Sequence, residues 1–214
     1  MKKARREKEV EQVRQAILEG ALEIIVKEGF DSLTMRKLAK RIGMTAPNIY
    51  NYFSGKDALY ISIVIKGFEM LHAVLAEAYS SANDSIVRAR AMIEAYIRFG
   101  MEKPRYYDIM FTRPTPKYND YIGTPHEALS EIEYRISMEI ADLALRATEA
   151  VLGRSDDTER TQMRVIQFWS LLHGMVTLHN SQVVSYVAGD TEAMYQKIVS
   201  ELIGLLSLFR SRDS

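Results

Sequence analysis

Between Leu33 and Leu59 the sequence reads as two short helices joined by a tight turn and followed by the start of a longer one. Met35, Leu38, Ala39 and Ile42 recur at three- and four-residue spacing, which predicts an inward stripe on a short helix. Thr34 stands where an N-cap is wanted, and Gly43 lets the backbone take the turn. Thr45 caps the next helix, and Pro47 sits in its first turn, where a missing N–H costs little. Ile49 and Phe53, four apart, look inward, so Asn48, Tyr50, Asn51 and Tyr52 are left to point out or sideways. Ser54-Gly55-Lys56-Asp57 reads as a Ser-x-x-Asp cap for the helix that follows. This is the layout of a helix-turn-helix, in which the second helix enters a DNA major groove.

The rest of the chain is organised around this element. Residues 1–8 form a short basic arm, suited to a flexible tail or to reaching phosphates or a minor groove. Val10, Val13, Ile17, Ala21, Ile24 and Ile25 predict an amphipathic helix from about Glu9 to Glu28, with Gly29 as its stop. The helix after the motif carries Ala58, Ile61, Ile65, Phe68, Leu71 and Leu75 and runs to about Ser80; a fifth ends near Gly100. A short sixth segment starts at Pro104, and Arg113 to Thr124 reads as an irregular loop. A seventh helix is expected from Thr124-Pro125-His126-Glu127 to Leu152, an eighth from about Asp157 to Tyr186, and a ninth from Thr191 to about Arg210. No strand-period alternation competes, so the fold class is all-α.

Charge separates the two ends. Residues 1–60 hold 12 Lys+Arg against 8 Asp+Glu, while the whole chain balances 28 against 28. A basic N-terminal part on an acidic body suggests that one end meets a polyanion. The chain has no cysteine, which fits a reducing cytoplasm and excludes disulfides and thiolate metal sites. The first residues lack the apolar core of a secretory signal, and no run of 18 apolar residues occurs, so no membrane span is expected. His72, His126, His173 and His179 are scattered without the spacing of a helical zinc site, and no nucleophile elbow or phosphate loop is present. The chain is therefore expected to be neither an enzyme nor a metalloprotein, and to need no cofactor.

The segment Thr34 to Leu59 resembles the DNA-binding domain of the tetracycline-repressor (TetR) family. The matching residues are Leu33-Thr34, Ala39, Ile42-Gly43, Pro47-Asn48-Ile49-Tyr50, Tyr52-Phe53 and Lys56-Asp57-Ala58-Leu59. The total length and the count of about nine helices are also similar to the family. The resemblance implies a three-helix DNA-binding domain over residues 1–55 and a larger helical domain over 56–214 that binds an effector and dimerises. It implies DNA contacts from Thr34, Thr45, Ala46, Pro47, Asn48, Tyr50, Asn51, Tyr52 and Lys56. Tyrosine hydroxyls and the threonines suit phosphates, asparagine suits a base edge, and Ala46 offers a methyl. A second stretch, Phe168-Trp169-Ser170-Leu171-Leu172-His173-Gly174, resembles the WHG subtype of TetR C-terminal domain. Trp169 and His173 share a helix face. They are read either as a core cluster or as a pocket wall with Tyr96, Phe99, Tyr107, Met110 and Phe111.

The last two helices are apolar on more than one face, through Val165, Ile166, Trp169, Leu172 and Leu178 on one and Met194, Leu202, Leu205 and Phe209 on the other. The surplus predicts a two-fold homodimer through these helices. The expectation is a cytoplasmic repressor that pairs on a palindromic double-stranded operator and is released by a small-molecule effector. The competing reading is a small-molecule-binding helical protein whose helix-turn-helix no longer binds DNA.

Overall fold

The structure is a computed structural model and describes residues 2–153 and 158–211. Among these the chain forms nine α-helices and no strand. They are α1 (Lys2–Glu28), α2 (Met35–Ile42), α3 (Ala46–Tyr50), α4 (Lys56–Ser80), α5 (Ser85–Glu102), α6 (Pro104–Tyr107), α7 (Glu127–Leu152), α8 (Thr158–Asn180) and α9 (Thr191–Ser211). A π-helix, Asp108–Thr112, continues α6, and one-turn 3-10 helices fill the connections at Phe30–Ser32, Tyr118–Tyr121 and Val184–Tyr186.

Packing gathers the chain into two compact units, each drawn from two stretches. The first is Met1–Glu69 with Arg105–Ile136; the second is Met70–Pro104 with Ser137–Ser214. Helices α4 and α7 each contribute to both. This grouping does not follow the sequence boundary at residue 55, because residues 105–136 pack with the N-terminal helices.

In the first unit, Ile17, Ala21, Leu22, Ile24 and Ile25 of α1 are buried together with Leu33, Leu38, Ile49, Leu59 and Ile63. α1 crosses α2 at Gly20, where an added Cβ would lie 2.5 Å from Ile42 Cγ2, so only glycine allows the helices this close. A second close approach is at Gly67 of α4, which faces Met110 and Tyr106. Phe68 meets Phe111 edge-to-face at 5.7 Å, and Phe111 meets Tyr107 at 5.0 Å. In the second unit α5 packs against α8 and α9. Met92, Ile93, Tyr96 and Phe99 of α5 are buried there with Leu172, Val176, Val199 and Leu202. Helix α4 is long and apolar enough to cross a membrane by composition, but more than half of its most apolar window is buried, as in a core helix.

Several sequence boundaries move. α1 begins at Lys2, so the basic arm continues the helix; the side chains of residues 2–5 lie outside the described residues, as does that of Phe209. α8 stops at Asn180, six residues before the expected Tyr186, because Gln182 takes a left-handed φ of 61°. Its expected start at Asp157 lies outside the described residues. α7 starts at Glu127, since Thr124 caps a turn through the His126 N–H instead of the helix itself. The Ser54–Asp57 box is not formed: Asp57 Oδ1 accepts from Tyr121 Oη at 3.1 Å. The 113–124 loop contains a 3-10 turn and is pinned to α4 there and at Tyr60, whose hydroxyl bonds Thr115 Oγ1 at 2.8 Å and donates to the Pro116 carbonyl at 2.9 Å.

Candidate nucleic-acid interface

The motif folds as its residues dictate. Thr34 Oγ1 accepts from Lys37 N at 3.1 Å and caps α2. Gly43 adopts φ 69°, ψ 29°, and the chain turns sharply into Thr45, whose hydroxyl makes no capping bond to α3. Ile49 is 0% exposed and Phe53 is buried, so the five-residue α3 is anchored by one side. That fixes the opposite side in solvent: Pro47, Asn48, Tyr50 and Asn51 are exposed, Tyr50 by 54%, while Ala46 and Tyr52 are half-buried. Asn51 Nδ2 lies 3.4 Å from Asn48 Oδ1, so the two amides form a pair on the surface. A large exposed tyrosine beside two exposed amides is an arrangement that offers donors and acceptors outward and gains nothing for the core.

Lys56 was read from the sequence as a phosphate contact. It is half-buried, with Nζ 3.8 Å from the Phe30 ring centroid and 3.6 Å from Oδ1 of the exposed Asp31. On α2, Lys37 pairs with Glu28 and Arg41 with Glu23, both on α1. Arg36 and Lys40 are exposed and form no ion pair among the described residues. Among the described residues these two cations are free positive charge on α2, the helix that packs against α3, and the acids of α1 facing Lys37 and Arg41 are the signal that separates the four.

Glu23 is the hub of that charge set. Hydrogen bonds from Arg41 and then Lys27 hold its carboxyl down to about 2, well below the usual carboxylate range. A depressed folded-state pKa gives stability that is present above the unfolded value and lost as pH falls. The α1–α2 contact should therefore loosen between about pH 4.5 and 2, and less so at high salt because the group is exposed. Glu23→Gln should flatten the acid limb of thermal unfolding over that window; an unchanged limb would show that the pair carries nothing.

The seven residues expected to face an effector divide between the units. Tyr107, Met110 and Phe111 pack inside the first. Tyr96, Phe99, Trp169 and His173 belong to the second. There, Trp169 Nε1 donates to Tyr96 Oη at 2.9 Å, while the indole stays 47% exposed. Burial lowers the His173 pKa, which keeps the imidazole neutral to lower pH. Among the described residues the second unit has hollows at two places. One, of about 550 Å³, runs between α4 and α5 and is lined by Met70, Val74, Ala78, Ala95 and Phe99 with Glu77 and Arg98 at its edge. The other, of about 500 Å³, lies at the end of α8 around His179, Asn180 and Gln182.

Residues 17–63 match the family model "Bacterial regulatory proteins, tetR family", and residues 89–202, more than half the chain, match "Tetracyclin repressor-like, C-terminal domain". The chain belongs to the TetR family. It is a transcriptional regulator with a helix-turn-helix DNA-binding domain, and not an enzyme. The TetR-family match over its C-terminal half does not name the WHG subtype. An uncharacterised helix-turn-helix regulator of Mycobacterium tuberculosis is 28% identical over 191 residues, 88% of this chain and 79% of that one. The class D tetracycline repressor of Escherichia coli is 29% identical over 122 residues, 55% of this chain and 54% of the repressor. A solved TetR-family regulatory protein from Rhodococcus RHA1 has the same fold, with a TM-score of 0.68 at 16% identity over 92% of this chain and 95% of that one.

Proposed function

We propose that this TetR-family protein is a cytoplasmic, homodimeric repressor that leaves a palindromic operator when a small molecule binds its second unit. The observation that carries the DNA-reading part is the face of α3. Ile49 is sealed in the core, so Asn48, Tyr50 and Asn51 stand in solvent, with Thr45, Pro47 and the free cations Arg36 and Lys40 beside them. Thr34, Ala46, Tyr52 and Lys56 support this face through its caps, packing and exit. Repression is the role named for the class D tetracycline repressor, to which the chain is similar over 122 residues.

Dimerisation is supported by the apolar surface left on α8 and α9 of the second unit. Met163, Ile166 and Leu178 are exposed on α8, and Met194 and Leu205 on α9. Gly174 and Gly204 look onto open space, which leaves room for another helix to approach. A two-fold dimer would set two recognition helices about 34–36 Å apart, one turn of DNA. Effector release needs only unequal affinity for the two states. A difference of about 100-fold supplies about 2.7 kcal/mol per site.

The test has two parts. Selection from a random duplex pool should enrich a two-fold symmetric sequence whose binding weakens steeply with salt. A pool that enriches nothing above bulk DNA would overturn the regulator reading in favour of a protein that binds only small molecules. Trp169 is the chain's one tryptophan. Its emission should therefore change with any ligand that also releases the selected duplex. Release without an emission change would move the effector away from the Tyr96–Trp169–His173 cluster.

A further inference from the structure

Helix α3 is five residues long, too short to hold its own conformation in water. Its exit is closed by backbone bonds from Asn51 N to Asn48 O and from Tyr52 N and Phe53 N to Ile49 O. The carbonyl of Tyr52 lies beyond that ladder. Its donor comes from α1: Arg14 Nη1 bonds it at 3.0 Å across 38 residues of sequence. The same guanidinium lies 4.5 Å from the centroid of the buried Phe53 ring. One side chain of α1 thus grips two consecutive residues at the exit of α3, with a hydrogen bond whose donor is charged and a cation over an aromatic ring.

Arg14 stands on a helix that is itself gripped from the other side. Gln15 Nε2 donates to Glu19 Oε1 at 3.0 Å, and Tyr106 Oη, from α6, donates to the same oxygen at 2.8 Å. Arg113 Nη2 donates to the Val26 carbonyl at 2.5 Å, while its Nε pairs with Asp108 at the same distance. Glu19 and Val26 are seven residues apart, so they lie on one face of α1, about 10.5 Å from each other. Between the two grips runs the π-helix Asp108–Thr112. Such wide turns are rare and concentrate at functional sites.

We propose that Arg14 is the positioning residue of the recognition helix, and that α1 relays to it the placement of residues 106–113. The proposal rests on α3 being the element that reads DNA. In this arrangement Arg14 does not touch DNA; it sets the exit of α3 and thereby the direction in which Asn48, Tyr50 and Asn51 point. A change that shifts residues 106–113 along α1 therefore reaches the recognition helix through α1, in addition to the α4 residues Gly67 and Phe68 that pack on the same segment.

The probe is the duplex enriched by the wild-type protein, measured beside a scrambled duplex. Arg14→Ala should lose about tenfold on the selected duplex and little on the scrambled one, with the salt slope unchanged. A residue that itself bound a phosphate would weaken both duplexes alike and lower the slope by about 0.9, which would overturn the proposal. A merely structural Arg14 would lower the melting temperature and leave the specificity ratio intact, which also overturns it. Arg14→Lys keeps a charged donor but loses the planar guanidinium that serves Tyr52 and Phe53 together, so it should recover only part of the lost affinity for the selected duplex. Hydrogen exchange supplies a readout without DNA. Amides 50–53 should exchange faster in Arg14→Ala while those of α5 and α8 do not change; equal exchange at 50–53 removes the grip. This arm separates failure of the proposal from failure of the DNA-reading assignment. For the relay, Tyr106→Phe removes the bond to Glu19 and keeps the ring. Its effect on selected-duplex affinity should be non-additive with Arg14→Ala by more than about threefold; additivity within about twofold overturns the relay.

Discussion

Ile49→Ala should strongly destabilise the DNA-binding end of the molecule, while Tyr50→Ala, one residue on, should leave its stability intact and weaken its hold on DNA. Ile49 is 0% exposed and is the buried anchor of a helix with five residues. Truncating a buried isoleucine to alanine costs about 2–5 kcal/mol, through lost transfer energy and the cavity left behind. A short helix held by one anchor has nothing to redistribute that loss onto, so the cost should fall at the upper part of the range. Against a domain stability of about 5–15 kcal/mol this is a large fraction. Tyr50 is not a core anchor: it is 54% exposed. Its loss should shift stability by less than about 0.5 kcal/mol and remove about 1–3 kcal/mol of DNA affinity. Circular dichroism melts and duplex titration of both variants decide it. An Ile49→Ala protein that melts like wild type, or a Tyr50→Ala protein that binds like it, would contradict this division of labour.

Ile166→Glu should convert a dimer into monomers. Ile166 is 59% exposed in the single chain and sits between Met163 and the small residues Ser170 and Gly174 on one face of α8. A symmetric interface presents the same residue from both sides, so one substitution buries two carboxylates. Each would cost several kcal/mol without a partner. Light scattering at micromolar concentration should read one chain's mass. Affinity for a full two-fold site should fall by about 100-fold or more, because linking two half-site contacts is worth about 10²–10⁴. Affinity for an isolated half-site should hold, and so should the helical signal. A dimer that survives Ile166→Glu would move the interface to another surface.

The sequence made the local elements legible and the long-range grips invisible. Thr34 as a cap, Gly43 as a left-handed turn and Ile49 as the inward residue follow from spacing and backbone chemistry, and the structure has all three. Lys56 shows the other side. Its position at the start of α4 suggested a phosphate, and only the fold brings Phe30 and Asp31, 25 or more residues earlier, beside it. Arg14 carries no spacing signal of its own, and only the fold brings Tyr52 to it. The end of α8 was misplaced because Val183, Val184 and Val187 prolong an apolar run, whereas the break comes from the backbone at Gln182. The π-helix has no spacing signature, since one wide turn leaves the apolar pattern of Ile109 and Met110 looking like any helix.

The unit that holds the recognition helix is made of two separated stretches of chain. Glu19 meets Tyr106, Val26 meets Arg113, and Asp57 meets Tyr121, each across 64 to 87 residues of sequence. Such a reader cannot be lifted out as a cassette. A graft that joined this N-terminal segment to a relative's body at residue 55 would give α1 a foreign residue 106 and a foreign 113. The two ends of each pair must therefore be inherited together, and exchange of whole halves with a relative breaks contacts that substitutions within either unit leave in place.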